Sequence, residues 1–123
     1  MSNLHIALTG NRTSYTPGTE ITGQATWELA APPKALELRL FWFTRGKGTT
    51  DVQVVETLRF DAPRPADRRD FRFRLPATPY SFSGKLISLV WALEFVTLPG
   101  DQTVRTEFTL SPTGQELLLE GPR

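Results

Sequence analysis

The stretch from Phe71 to Phe95 reads F-R-F-R-L-P-A-T-P-Y-S-F-S-G-K-L-I-S-L-V-W-A-L-E-F. Phe71, Phe73 and Leu75 recur at every second position with Arg72 and Arg74 between them, which is the period of a half-buried strand. From Ile87 the odd positions Ile87, Leu89, Trp91, Leu93 and Phe95 are again all large and apolar, while Ser88, Ala92 and Glu94 stand among the alternates. Two patterned strands joined by a Pro/Ser/Gly connector predict the core of an all-β protein.

The flanking sequence extends the pattern in both directions. Leu4, Ile6 and Leu8 alternate up to Gly10-Asn11, a pair that accepts positive φ. A first strand is therefore expected to end near Thr9, the chain to reverse, and Arg12 to Tyr15 to begin the return. Pro17-Gly18 suits a type II turn, and Thr19 to Leu29 follows as a strand with Ile21, Gly23, Ala25, Trp27 and Leu29 on one side. Ala30 to Pro33 is a loop, because consecutive prolines donate nothing to a ladder. In Lys34 to Thr44, Leu36, Leu38, Leu40 and Trp42 point inward and Glu37 and Arg39 outward. Phe41 and Phe43 share the outward side, which demands a partial cover or leaves an exposed apolar patch.

Arg45 to Thr50 reads as a glycine-bearing hairpin loop and Asp51 to Phe60 as the next strand. There Val52, Val54, Leu58 and Phe60 are in phase, and Glu56 beside Val55 predicts a β-bulge. Asp61 to Asp70 is expected as a Pro/Arg/Asp loop. After the turn at Leu98-Pro99-Gly100-Asp101, Val104, Thr106, Phe108 and Leu110 form a last alternating strand, and Gln115 to Glu120 either adds a short edge strand or packs loosely. About eight strands with no sustained helical period predict a two-sheet antiparallel β-sandwich of immunoglobulin-like architecture. It is expected as one domain over residues 1–123, its core built from Trp27, Trp42, Trp91 and most of the eight phenylalanines.

Several of these segments together resemble the arrestin-like family. Tyr15-Thr16-Pro17-Gly18-Thr19-Glu20-Ile21-Thr22-Gly23 is similar to the family's Y-x-P-G-E-x-V-x-G element with one residue inserted before the acid. Phe71 to Pro76, followed by Pro79-Tyr80-Ser81-Phe82-Ser83-Gly84, resembles its F-x-F-x-L-P…P-x-S-F-x-G element, and the strand through Trp91, Ala92 and Leu93 sits where the family has Y-x-V-x-A-x-L. In order and spacing the resemblance covers most of Leu4 to Leu110 and implies an arrestin-like fold of the N-terminal-lobe type. A full arrestin has two lobes with a phosphate-sensing polar core between them, and this chain has room for one. The phosphoreceptor role is therefore not carried over. What the resemblance implies is a single-lobe protein that binds other proteins.

Composition narrows the chemistry. With 123 residues and no cysteine, the chain has neither a disulfide framework nor a thiolate nucleophile or metal site. The first residues show no basic region followed by an apolar run of signal length, so a cytoplasmic location is expected. No integral membrane segment is expected either, because no apolar run approaches roughly 18 residues. Net charge is +1, yet between Arg59 and Arg74 six arginines face three aspartates.

His5, the single histidine, falls on the outward phase of the first strand and reads as a surface residue. Asp61 and Asp67, with Asp101, have the look of the calcium loops of C2 domains, but Arg64, Arg68 and Arg69 occupy the same loop and oppose a cation. Arg45 to Thr50 resembles a phosphate loop but lacks its first glycine, since position 41 is Phe, and no helix follows. Neither enzyme nor cofactor is expected. Alternation sends the rings of Phe71 and Phe73 away from Arg72 and Arg74, so the run is no stacking platform and no nucleic acid partner is expected.

The expected function is a non-enzymatic interaction module of adaptor type. Its partner is a protein, acidic or phosphorylated, met through a sheet edge, an arginine-rich patch, or both. The candidate patch is Arg59, Arg64, Arg68, Arg69, Arg72 and Arg74. Phe41 and Phe43 are candidate apolar anchors, and edge strands offer a route to a homodimer. A C2-like calcium- or anionic-lipid-binding sandwich and a carbohydrate-binding sandwich are the alternatives, the latter requiring an exposed tryptophan.

Overall fold

The computed structural model of the chain describes residues 3–46, 51–84, 86–100, 102–113 and 117–119. Its strands are β1 (Asn3–Leu8), β2 (Ser14–Tyr15), β3 (Glu20–Glu28), β4 (Ala35–Gly46), β5 (Val52–Asp61), β6 (Ala66–Arg74), β7 (Phe82–Gly84), β8 (Ile87–Leu98), β9 (Thr103–Leu110) and β10 (Leu117–Leu119). A small sheet has the order β1-β3-β6, and a larger one runs β10-β7-β8-β4-β5, with β9 also paired to β8 and β2 to β9. This is the two-sheet sandwich that the alternation predicts.

The pairing carries that alternation into three dimensions. β3 and β6 are antiparallel over their full length, with Ile21 opposite Phe73 and Ala25 opposite Arg69. In the other sheet β4 and β8 run from Ala35 opposite Leu98 to Gly46 opposite Ile87, so Leu38 meets Phe95 and Leu40 meets Leu93. The inward residues of the two sheets, among them Trp27, Trp91, Phe73, Phe95 and Leu93, form one buried cluster. Both buried indoles find a backbone acceptor: Trp27 Nε1 donates to Arg64 O and Trp91 Nε1 to Pro79 O, each at 2.8 Å. Trp42 keeps its inward phase but is only half-buried at the edge of the cluster.

Several elements depart from the sequence reading. Gly10 and Asn11 do take positive φ, within a 3-10 turn over Thr9–Asn11. The chain does not return along β1, however. It crosses to the other sheet, where Ser14 and Tyr15 pair in parallel with Thr109 and Leu110, and β3 becomes the partner of β1. Phe82–Gly84, expected as connector, is a strand that pairs with β8 and, in parallel, with β10. The expected loop Asp61 to Asp70 is half strand, because β6 starts at Ala66. Its polar residues offer no apolar face, but the length of β3 gives their peptide groups a partner as far as Glu28. Residues 47–50 of the expected hairpin loop lie outside the described residues, as do Asp101, Gln115, Glu116 and Glu120.

The β-bulge falls where it is expected. Leu40 pairs with Glu56 but Phe41 with Val54, which leaves Val55 without a counterpart. The extra residue separates the four apolar positions that the sequence places in phase. Leu58 and Phe60 turn toward the core, whereas Val52 and Val54 turn outward and are 61% and 46% exposed.

Gly23 lies between Leu8 and Phe71 across the small sheet. A Cβ there would run into the Ala7 carbonyl oxygen and the Phe71 ring. The absence of a side chain is what lets that ring approach the backbone of β3. Gly23→Ala is expected to destabilise the fold by about 2 kcal/mol, measured as a lower midpoint in chemical denaturation.

Candidate functional site

The two long sides of the sandwich differ. Along one, β1 comes close to β8 and β9. Along the other, among the described residues, β5 and β6 each have a partner on one side only and leave two free edges. A cleft of about 920 Å³ opens on this side, lined by Leu58 and Phe60 of β5 and by Asp70, Phe71 and Arg72 of β6, and reaching across β3 to Ala7 of β1.

The backbone of β6 determines what this side presents. Leu75 N–H donates to Thr19 O, and Pro65 O accepts from Leu29 N–H. Odd-numbered residues of this stretch thus turn their peptide groups toward β3. Peptide groups alternate along a strand, so those of Arg68, Asp70, Arg72 and Arg74 point away from the sheet. Of these, the Arg68 N–H is taken by the neighbouring Asp67 carboxylate at 2.8 Å.

The six candidate arginines do not make one patch. Arg68, Arg72 and Arg74 project from the outer face of β6, in register with Thr26, Thr22 and Glu20 of β3. Arg72 and Arg74 reach Glu20 only at 4.0 and 3.9 Å, and Arg74 also donates to Gly18 O at 2.8 Å. Arg69 falls on the inward phase, with its guanidinium 5.6 Å from the centre of the Phe60 ring at the mouth of the cleft. Arg64 sits in the connector between the sheets. Arg59 belongs to the outer face of the larger sheet, where it pairs with Asp61 at 2.8 Å and Glu37 at 3.1 Å. Three arginines thus share one surface, and Arg59 is already neutralised on another.

Phe41 and Phe43 lie on the outer face as their phase requires, yet they are 4% and 7% exposed. Their cover comes from side chains. The Arg105 guanidinium lies 5.0 Å from both ring centres and Arg45 lies 5.3 Å from Phe43, a cation–π arrangement in which the arginine stems also shield apolar surface. Glu94 and Glu107 hold these two arginines at 3.3 and 2.7 Å. With Ala92 and Val90 the rings form a second apolar cluster outside the main core. As anchors they are reachable only if the arginine cover moves. Replacing both by Ser is expected to cost on the order of 4 kcal/mol, seen as a lower denaturation midpoint, rather than to leave folding untouched.

On the same face Glu37 accepts two hydrogen bonds from Arg39, at 2.7 and 3.0 Å, and one from Arg59. The hydrogen bonding from Arg39 holds its carboxyl below the usual carboxylate range against the opposing pull of burial. A carboxylate depressed in the folded state stabilises above the unfolded pKa, and that contribution is lost as pH falls through the folded pKa. Glu37→Gln is therefore expected to lower the thermal midpoint at neutral pH, with the gap from the native chain narrowing as pH falls below the ordinary glutamate range and through the depressed folded pKa.

The remaining candidates do not converge. His5 is exposed on β1 opposite Thr26. Asp61 is engaged by Arg59, and Asp67 stands on a strand with its carboxylate on the Arg68 N–H. Among the described residues no group of three or more His, Cys, Asp or Glu side chains is placed to hold a metal ion. Trp27 and Trp91 present no face to solvent, and Trp42 packs onto the core. No helix among the described residues is long and apolar enough to cross a membrane.

No protein-family model and no curated protein matches the chain. Among solved structures it is similar to Spo0M, the sporulation control protein of Bacillus subtilis, with a TM-score of 0.62 and 17% identity over 89% of this chain. The fold is an arrestin-like sandwich. The match covers 49% of the Spo0M chain, so this chain spans about half the length of that neighbour.

Two features of the surface escape the sequence. One is the arginine cover over Phe41 and Phe43, because Arg105 comes from β9, remote in sequence, to join Arg45, which lies two positions beyond Phe43 on β4. The other is the coincidence, on β6, of outward peptide groups with arginine side chains. The signal for the second is present in the alternation of Arg72 and Arg74, but the polar run through Arg68 and Asp70 has the composition of a loop.

Proposed function

We propose that this chain is a non-enzymatic protein-interaction module of arrestin-like type, acting in the cytoplasm, whose partner docks on the open side of the sandwich along β6. One observation carries the reading: the free edge of β6 exposes peptide groups at the same residues that project Arg68, Arg72 and Arg74 into solvent. Exposed N–H groups recruit the carbonyls of an incoming chain, and exposed guanidiniums recruit its acids. Supporting it, Arg72 and Arg74 reach the carboxylate of Glu20 only at long range, with Arg74 also on the Gly18 carbonyl, while Arg45 and Arg59 on the larger sheet are closely paired with carboxylates. The description of Spo0M as a control protein agrees with a regulatory role rather than a catalytic one.

Capture from a native lysate with the immobilised chain tests the reading. The native protein is expected to retain a partner that Arg72→Glu/Arg74→Glu loses by roughly tenfold and that Arg59→Glu keeps. All three residues are exposed, and circular dichroism is expected to show the variants folded. Equal capture by the Arg72/Arg74 variant would refute the assignment of this surface.

A further inference from the structure

We infer that β6 is completed by an extended peptide segment of alternating acidic and apolar residues, added antiparallel to its free edge. This rests on the reading of β6 as the docking surface and specifies the chemistry of what docks there. Of β1, β5 and β6, β1 is approached by β8 and β9. β5 carries Glu56, Arg59 and Asp61, with Arg59 already held between Glu37 and Asp61. β6 carries four arginines against two aspartates in nine residues, so its edge favours an acidic chain.

The register writes the ligand's pattern. An added strand places its residues alternately on the two faces of the extended sheet. Side chains on the outer face stand opposite Arg74, Arg72, Asp70 and Arg68 in turn, which calls for acid, acid, a neutral residue and acid. Those between them stand opposite Phe73, Phe71 and Arg69 and enter the cleft toward Leu58 and Phe60, which calls for small apolar side chains that pack on the rings and on the Arg69 stem. The N–H groups of Asp70, Arg72 and Arg74 are left to receive the ligand's carbonyls, while that of Arg68 is occupied by Asp67. No aromatic ring of β6 shares the arginines' face, since Phe71 and Phe73 are buried, which favours a peptide over stacked bases.

The probe is a fluorescein-labelled peptide Glu-Val-Glu-Val-Thr-Val-Glu, titrated against the intact chain by anisotropy and by amide-resolved NMR. Saturable binding is expected, weakening with salt. It should fall by roughly tenfold or more for Arg72→Glu/Arg74→Glu and for a peptide with Lys in place of Glu. Methylating the peptide's Glu and Thr amide nitrogens, which face β6, should abolish binding, whereas methylating its Val nitrogens should not. Binding is expected to slow hydrogen exchange at Asp70, Arg72 and Arg74, and not at Arg68.

Absence of binding, equal affinity for the Glu/Thr-methylated peptide, or protection appearing on β5 or β1 instead would overturn the inference. So would a concentration-dependent dimer that protects the same amides without peptide, which would give the edge to a second copy of the chain. If the peptide fails while the Arg72/Arg74 variant still loses the captured partner, the ligand pattern falls and the docking surface stands. If the variant keeps its partner, the surface itself falls.

Discussion

The fold depends on one constraint, the two-residue period of side chains along paired strands. Trp27, Phe73, Trp91 and Phe95 are all buried because each falls on the inward phase of its strand and the pairing of β3 with β6 and of β4 with β8 holds those phases together. A slip of β4 by one residue against β8 would send Leu38 and Leu40 to the surface and bring Glu37 and Arg39 into the core. Burying two charged groups is far costlier than any gain elsewhere in the strand. Register is therefore fixed by the core, and the positions of the surface groups follow from it.

The surface chemistry is then a consequence of which edges remain unpaired. On the larger sheet the outward phase supplies Glu37, Arg39, Arg45, Arg59, Glu94, Arg105 and Glu107, and these close on one another as ion pairs, with Arg45 and Arg105 lying over Phe41 and Phe43. That face is occupied with itself. On the small sheet Arg68, Arg72 and Arg74 have less to hold them, since the opposing positions on β3 are Thr26, Thr22 and Glu20. The difference between a self-neutralised face and an available one lies in the identity of the residues across the ladder, not in the number of arginines.

The bulge at Val55 shows how a single local irregularity redistributes a sequence pattern. Val52, Val54, Leu58 and Phe60 share one parity and read as one apolar side. The extra residue turns the two valines out to join the cluster around Phe41 and keeps Leu58 and Phe60 at the mouth of the cleft. The outer face gains an apolar margin in this way, and the cleft gains its wall. The crossing of the chain after β1 has a similar reach, because pairing β2 with β9 ties the start of the chain to the opposite sheet.

Alternation, turn residues and the bulge were legible without coordinates because each is a local property: side-chain period, the φ that glycine and proline permit, and a break in phase. They determined the all-β class, most strand positions, the inward residues and the outward phase of Phe41, Phe43, Arg72 and Arg74. The strand at Ala66–Asp70, the short strand at Phe82–Gly84, the division of the six arginines between surfaces, and the arginine cover on Phe41 and Phe43 were decided only by the tertiary structure. Each depends on a partner remote in sequence: β3 extending far enough to pair a polar stretch, β8 and β10 flanking a Ser/Gly segment, β9 carrying Arg105 to the rings of β4. A chain's own period states which way a side chain points, but only the assembled sheets determine what it meets there.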